Sequence, residues 1–125
     1  MTARILAIDD SRTIRELVKA ALGQAGFEVT TAGDGEEGVE TFRESRFDTV
    51  ITDINMPRLD GFGVIEAIRG GTTNRRVPIL VLTTESGAEL KDRARKAGAT
   101  GWIVKPFDDR ELVDVCRQVA GGGTG

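Results

Sequence analysis

The sequence predicts an α/β fold, a doubly wound parallel sheet of five strands with helices packed on both faces. Short β-branched apolar runs alternate with longer stretches of helical spacing, which is the pattern of a parallel α/β sheet. The first, third and fourth short runs are apolar through their middles, as expected for strands covered on both faces. The length of 125 residues suits one domain with one core.

The five predicted strands are short and are bounded by polar residues or glycine. They are Arg4–Ile8, Glu28–Ala32, Thr49–Thr52, Ile79–Thr83 and Gly101–Val104. We expect a single domain over residues 1–120. The remaining residues, 121–125, read Gly-Gly-Gly-Thr-Gly and are expected to form a flexible tail.

Helical spacing predicts five helices, one after each strand. The first ends at Gly26, which suits a left-handed C-cap. Its apolar stripe consists of Ile14, Leu17, Val18, Ala21, Leu22 and Ala25. The other four helices are expected near residues 36–45, 61–68, 87–96 and 108–119. The fourth has the fewest apolar residues and is expected to be the most weakly packed.

Composition excludes several functions. The net charge of -3 offers no excess of cations for nucleic-acid phosphates, so we expect no nucleic-acid partner. A single cysteine, Cys116, allows no intramolecular disulfide and is interpreted as a core residue. The first apolar run stops at Asp9, which predicts neither a signal peptide nor a membrane span. We therefore expect a cytoplasmic protein without a membrane partner.

Four of the five predicted strands lead directly into a polar residue of a particular kind. These residues are Asp9 with Asp10, Asp53, Thr83, and Lys105. The ends of parallel strands meet at one edge of the sheet, and ligands bind there where the strand order reverses. With strand order 2-1-3-4-5, the aspartates would lie on either side of that reversal.

Three carboxylates in one place repel each other, and one such pair about 4 Å apart costs about 4 kcal/mol near a protein surface. A divalent cation removes this cost, and oxygen ligands with room for water suit Mg²⁺, with Mn²⁺ as a second possibility. Thr83 and Lys105 supply a hydroxyl and a positive charge that suit phosphoryl oxygens. Taken separately, Asp9 and Asp10 could instead cap the first helix and Asp53 could belong to a turn.

The residues at this edge resemble the receiver domain of two-component response regulators, especially the single-domain chemotaxis (CheY-like) type. The matching residues are Asp9-Asp10, the run Asp53-Ile-Asn-Met-Pro-Arg-Leu-Asp-Gly61, Thr83 and Lys105-Pro106-Phe107. The resemblance covers residues 4–120. It implies a flavodoxin-like three-layer sandwich with strand order 2-1-3-4-5.

The resemblance also implies roles for these residues. Asp53 would be the phosphoacceptor, and Asp10 and the backbone carbonyl of Asn55 would join Asp53 on Mg²⁺. Asp9 would hold the metal mainly through water. Thr83 and Lys105 would contact the phosphoryl group.

A second set of roles concerns the signal and its lifetime. By the same resemblance, Thr83 moves toward the phosphoryl group and the aromatic residue Trp102 swings inward. That movement would remodel the face made by the fourth helix, fifth strand and fifth helix. Asn55 and Glu85 would tune dephosphorylation. The sequence departs from the family at Trp102, where tyrosine is usual, and at Thr84, where a smaller residue is frequent.

The resemblance implies a histidine kinase as phosphodonor, and because the chain contains no histidine, another protein must carry the phosphohistidine. The protein would be a monomeric switch rather than an enzyme, supporting only its own phosphoryl transfer and autodephosphorylation. Two outputs stay open. The phosphorylated face could bind a target such as a flagellar motor switch, or the domain could be a phosphate sink that drains a kinase.

Three other interpretations compete with this one. Residues 33–38 form a G-x-G-x-x-G pattern, but its acidic residues oppose a pyrophosphate and it follows the second strand, not the first. An aspartyl phosphohydrolase would need a second acid where Asn55 stands. Arg75 and Arg76 could be a docking patch or a solvated loop.

Overall fold

A computed structural model describes residues 2–122. Five parallel strands form one sheet in the order β2-β1-β3-β4-β5. The strands are β1 (Arg4–Ile8), β2 (Glu28–Ala32), β3 (Thr49–Thr52), β4 (Ile79–Thr83) and β5 (Gly101–Val104). The fold class, the strand order and all five strand ranges predicted from the sequence are confirmed.

The helices alternate with the strands and cover both faces of the sheet. They are α1 (Arg12–Gln24), α2 (Gly35–Glu44), α3 (Gly61–Gly70), α4 (Ala88–Ala97) and α5 (Asp109–Gly122). One apolar cluster joins the sheet to α2, α3 and α4, and a second joins it to α1 and α5. Every residue of β3 and β4 is buried, whereas β2 and β5 lie at the edges and are partly exposed.

Side-chain caps explain why several helices begin where they do. Ser11, Asp34 and Asp60 each accept a hydrogen bond from a backbone N–H in the first turn of α1, α2 and α3. Asp108 does the same before α5, so the helix begins one residue after the predicted start. Gly87 precedes α4 without a side-chain cap, and Ala94 is the only buried residue of that helix. The expectation that α4 is weakly packed is confirmed.

Two sequence expectations were wrong. Leu17 was placed on the buried stripe of α1, yet 51% of it is exposed because α1 packs through Val18, Ala21 and Leu22 and leaves Leu17 at the edge of that stripe. The predicted glycine tail was to begin at residue 121, but α5 continues through Gly122, since each added residue extends an existing hydrogen-bond ladder. Residues 123–125 of that tail lie outside the described residues. Within residues 2–122, no helix is both long and apolar enough to cross a membrane.

Cys116 lies in the cluster beneath α1 and α5 and is completely buried. Burial raises the pKa of its thiol to about 12. We expect native protein at mildly alkaline pH to react with a disulfide reagent far more slowly than urea-unfolded protein, because only the thiolate is nucleophilic. Stopped-flow absorbance measures both rates. Equal rates would contradict a buried, protonated Cys116.

Candidate functional site

The carboxyl edge of the sheet brings the sequence-predicted polar residues together. Asp9 follows β1 and Asp53 follows β3, and the backbone N–H of Asp53 donates to the carbonyl of Ile8 (3.1 Å). These two strands lie side by side in the sheet, where the chain order reverses. Carboxylate oxygens of Asp9, Asp10 and Asp53 all lie within 4.8 Å of one another.

Lys105 is the cation that this acidic cluster contacts. Its Nζ donates to Asp9 Oδ2 (2.7 Å) and to Asp53 Oδ2 (2.8 Å), and each of the three side chains is about nine-tenths buried. Its peptide bond to Pro106 is cis. We call Asp9, Asp53 and Lys105 the ion triad.

Burial and the neighbouring charges shift the pKa values of Asp9 and Lys105 in opposite directions. Burial raises the pKa of the Asp9 carboxyl above its ordinary value, although hydrogen bonds from Lys105 and from the Ser11 N–H lower it. Burial alone would lower the pKa of Lys105, but its hydrogen bonds and charge interactions with Asp53 and Asp9 outweigh burial and raise that pKa. Lys105 therefore stays positively charged at neutral pH.

The backbone orients the Asp53 carboxylate. Its Oδ1 accepts from the N–H groups of Ile54 (2.6 Å) and Asn55 (3.4 Å), while its Oδ2 faces Lys105. Gly61 allows the next helix to begin close by, because a Cβ on Gly61 would lie 2.2 Å from the carbonyl oxygen of Asp53. The carboxylate thus has a defined direction on a rigid strand end.

Asp10 differs from its neighbours in the cluster. Its side chain is exposed and has no hydrogen-bond or ion-pair partner among residues 2–122. The N-cap of α1 is Ser11, whose side chain accepts from Ile14 N–H, and Asp9 Oδ1 accepts from Ser11 N–H (2.9 Å). The capping interpretation of the aspartate pair therefore applies in part to Asp9 and not to Asp10.

Thr83, Glu85 and Trp102 form a chain of contacts at the ends of β4 and β5. Thr83 is buried, and its hydroxyl accepts from the backbone N–H of Glu85 (3.3 Å). The half-buried Trp102 donates its indole N–H to the carbonyl of Glu85 (3.0 Å). The carboxylate of Glu85 accepts from the side-chain amide of Asn55 (3.3 Å). Thr84 is exposed beside this chain.

One contact at the site was missed by sequence reasoning. Arg15 on α1 donates from Nη1 to the carbonyl oxygen of Asp9 (2.8 Å) and holds the backbone at the end of β1. The sequence places Arg15 near the start of α1, but its spacing does not indicate that the side chain reaches back to the end of β1.

The G-x-G-x-x-G pattern has a packing role. A Cβ on Gly35 would lie 2.0 Å from the Leu59 carbonyl oxygen, and one on Gly38 would lie 2.4 Å from the Ile8 side chain. Asp34 accepts from Glu37 N–H (2.8 Å), and Glu37 accepts from Gly33 N–H (3.1 Å), which is a reciprocal helix cap. These carboxylates occupy the helix N-terminus where a pyrophosphate would bind.

The cluster itself offers only carboxylate oxygens as metal ligands, and this set fits a hard divalent cation such as Mg²⁺ better than a softer metal. Asp10 offers an exposed carboxylate beside the nearly buried one of Asp53, and the backbone of Asn55 lies two residues beyond Asp53. The roles assigned to the individual residues from the resemblance stay predictions at this point.

Comparisons with known proteins bear on the family. Residues 5–117 match the model of the response regulator receiver domain. A probable chemotaxis protein CheY of Rhizobium etli is 35% identical over 94% of this chain and 92% of its own length. The transcriptional regulatory protein PrrA of Mycobacterium tuberculosis is 39% identical over 88% of this chain, which spans only 46% of PrrA. The chain likewise spans about half the length of the other curated transcriptional regulators that it matches.

Two solved structures are informative. The chemotaxis protein CheY4 of Vibrio cholerae matches with a TM-score of 0.91 and 43% identity over 95% of this chain and 99% of that one. The receiver domain of the sensor histidine kinase PA1611 of Pseudomonas aeruginosa matches with a TM-score of 0.89 and 29% identity, over 97% and 99% of the two chains. That structure is described with a magnesium ion coordinated in the active site cleft.

Asp10→Ala tests the repulsion among the three carboxylates. We expect the variant to unfold at a higher temperature than the parent in metal-free buffer, because it removes one of the clustered charges. About 1 kcal/mol of relieved repulsion corresponds to a shift of roughly 4 °C in a domain of this size. Calorimetric titration should detect no Mg²⁺ binding to the variant.

The matched control is Asp114→Ala, which removes an exposed carboxylate of α5 far from the cluster. It should leave both the melting temperature and Mg²⁺ binding close to those of the parent. A lower melting temperature for Asp10→Ala alone would show that Asp10 stabilises the fold, and would argue against the repulsion described here.

Proposed function

The chain belongs to the response regulator receiver domain family, and we propose that it is a phosphorylation switch in which Asp53 accepts a phosphoryl group from a histidine kinase. One observation carries the proposal. The nearly buried Asp53 carboxylate is oriented by two backbone N–H groups and faces a lysine ammonium beside two further aspartates. No structural need explains three clustered carboxylates, whereas phosphoryl transfer uses each of them.

The reaction is a transfer between two nucleophiles. The Asp53 oxygen that faces Lys105 forms a bond to phosphorus, and the bond from phosphorus to the donor's imidazole nitrogen breaks. The imidazole leaves with the electron pair of that bond and takes up a proton. The N–H groups of Ile54 and Asn55 hold the other Asp53 oxygen, so the attacking oxygen keeps its direction.

Lys105 and Thr83 would receive the transferred group. Lys105 exchanges its contact with Asp53 for one with a phosphoryl oxygen, which keeps its positive charge next to developing negative charge. The Thr83 hydroxyl accepts a hydrogen bond from the Glu85 N–H. The same hydroxyl can donate its own hydrogen to a second phosphoryl oxygen.

A divalent cation completes the site. Asp10, Asp53 and the backbone carbonyl of Asn55 would hold Mg²⁺ directly, and Asp9 would hold it through water. Mn²⁺ has the same preference for oxygen ligands. When bound, the cation neutralises the charge that collects where three carboxylates meet a phosphoryl group. The neighbour described with magnesium in its cleft supports this assignment.

The contacts of Thr83 suggest how the signal leaves the site. A hydroxyl drawn toward the phosphoryl group would release Glu85 N–H, and Glu85 carries the carbonyl that Trp102 binds. The half-buried indole would then be free to turn inward and change the face made by α4, β5 and α5. The weak packing of α4 lowers the cost of that change.

Asn55 and Glu85 are joined by an exposed side-chain hydrogen bond (3.3 Å), and their backbone N–H groups donate to Asp53 and Thr83. Both side chains would therefore control the approach of the water that hydrolyses the aspartyl phosphate. Asn55 is an amide and cannot act as a general base, so the domain would show autodephosphorylation without turnover of other phosphoesters.

The chemotaxis role belongs to the proposal. The similarity to CheY proteins over nearly the whole chain supports a monomeric cytoplasmic protein with a protein target such as a flagellar motor switch. A phosphate sink without a target of its own is the second candidate. Its support is that a sink needs the same residues for phosphorylation and dephosphorylation as an activator does.

Incubation with acetyl phosphate and Mg²⁺ tests the proposed reaction. We expect intact mass to rise by one phosphoryl group, because a small donor needs only the site and not the kinase surface. Asp53→Asn and a chelator should each abolish the gain. The same gain in Asp53→Asn would place the acceptor elsewhere and contradict the proposal.

A binding comparison separates the two outputs. Immobilised protein, with and without beryllium fluoride as a stable phosphoryl analogue, is exposed to purified motor-switch protein and purified kinase domain. An activator should bind the switch protein more tightly in the fluoride form. A sink should bind the switch protein equally weakly with and without beryllium fluoride, and only its binding to the kinase domain should change.

A further inference from the structure

A cluster of exposed arginines lies at the end of the molecule opposite the ion triad. Arg43 and Arg46 stand at the end of α2 and just after it, and Arg75 and Arg76 stand in the loop before β4. These segments lead into the starts of β3 and β4, whereas Asp53 follows the end of β3. We call these four residues the arginine pole.

The arginine pole concentrates positive charge in a chain whose net charge is -3. All four side chains are exposed, and none forms an ion pair or a side-chain hydrogen bond with any part of the chain from residue 2 to residue 122. Glu44 is the one carboxylate that lines the depression between Arg43 and Arg46. Four guanidinium groups are thus left available to carboxylates from outside.

The loop that carries Arg75 and Arg76 is held in one conformation. Arg69 donates from Nη1 to the carbonyls of Arg75 (2.6 Å) and Val77 (2.7 Å), and from Nη2 to the carbonyl of Gly98 (2.8 Å). Asn74 donates from its amide to the carbonyl of Phe47 (2.8 Å). A loop whose side chains only face solvent would not need these backbone hydrogen bonds. A fixed loop lowers the entropy lost when a partner binds its side chains.

An apolar groove adjoins the arginine pole. It lies between α2 and α3 and has a volume of about 280 Å³. Its lining includes Val39, Phe42, Ala67 and Ile68, with Arg43 and Thr73 at its rim. Arg43 and Thr73 also line the neighbouring open depression that contains Arg46 and Asn74. Arg43, Arg46 and the apolar surface therefore form one continuous feature, and Arg75 and Arg76 directly follow Asn74 in the chain.

We propose that the arginine pole and this groove form a second docking surface, which binds an acidic segment of a partner protein. The segment would place carboxylates on the four arginines and insert one apolar side chain between α2 and α3. Arginine suits this purpose because its planar guanidinium binds carboxylates through two hydrogen bonds.

Charge and shape both favour an acidic protein segment over a nucleic acid. A nucleic acid presents a long, regular run of phosphates, of which four cations neutralise only a short stretch, whereas an acidic protein segment can match their number. The apolar groove suits a hydrophobic side chain. The surface is remote from Asp53, so the proposal goes beyond phosphorylation and does not depend on it.

Fluorescence anisotropy with a short synthetic peptide tests the proposal. The peptide alternates Asp and Glu with a central Leu, and the comparison peptide carries Asn and Gln in place of the acids. We expect Arg75→Glu with Arg76→Glu, and separately Arg43→Glu, to weaken binding of the acidic peptide by about tenfold. Ala67→Leu, which narrows the groove without changing charge, should weaken binding of the same peptide.

Arg110→Glu is the matched control, because Arg110 is equally exposed but lies at the start of α5, near the other end of the molecule. It should bind the acidic peptide as the parent does. All variants should keep the circular dichroism spectrum and the cooperative thermal unfolding of the parent, which shows that each is folded whatever the docking result.

Several results would overturn the proposal. One is equal affinity of the parent and the charge-reversed variants for the acidic peptide. Another is equal affinity of the parent for the amide peptide. Absence of binding up to about 1 mM peptide, the limit of weak specific association, also counts against it. Tighter binding of an oligonucleotide of the same charge would assign the pole to nucleic acid instead.

Discussion

The ammonium group of Lys105 bridges the buried carboxylates of Asp9 and Asp53, and the carboxyl edge of the sheet depends on this ion triad. Without Lys105, these two nearly buried carboxylates, whose oxygens lie within 4.8 Å of one another, would repel each other strongly. Lys105 offsets that repulsion from the end of β5, two strands away from Asp53. Asp10 lies on the solvent side and has no side-chain partner among residues 2–122, so its carboxylate is available to a cation.

The fold provides the ends of four strands, and a few close contacts complete the site. Because Gly61 has no side chain, α3 can begin against the end of β3, and Asn55 in the intervening loop donates to Glu85. From Glu85, two hydrogen bonds lead to Thr83 and to Trp102. A change at Asp53 therefore has a short physical route to the edge strand and α4.

Sequence patterns predicted the strands better than the helix ends. The ranges of β1, β3 and β4 followed from apolar runs that are buried on both faces of the sheet and end at polar residues of the site. The ranges of the edge strands β2 and β5 followed from short runs bounded by polar residues or glycine. Leu17 was misjudged because helical spacing indicates the centre of the apolar stripe on α1 but not its width. The width depends on how much of α1 the neighbouring α5 covers. The meeting of Asp9, Asp10, Asp53 and Lys105 was predictable from parallel topology. The bond from Arg15 to the Asp9 carbonyl was not, since it depends on how one side chain lies over a turn.

Charge is separated along the length of the strands, with carboxylates at one end and the arginine pole at the other. These two groups contribute an electric dipole roughly parallel to the strands, on which an external field acts before contact. Near a positively charged surface the molecule would arrive with Asp53 foremost, and near a negatively charged one it would arrive with Arg75 and Arg76 foremost. The orientation of first encounter is thus decided by the charge of the approaching partner, and it weakens as ionic strength rises.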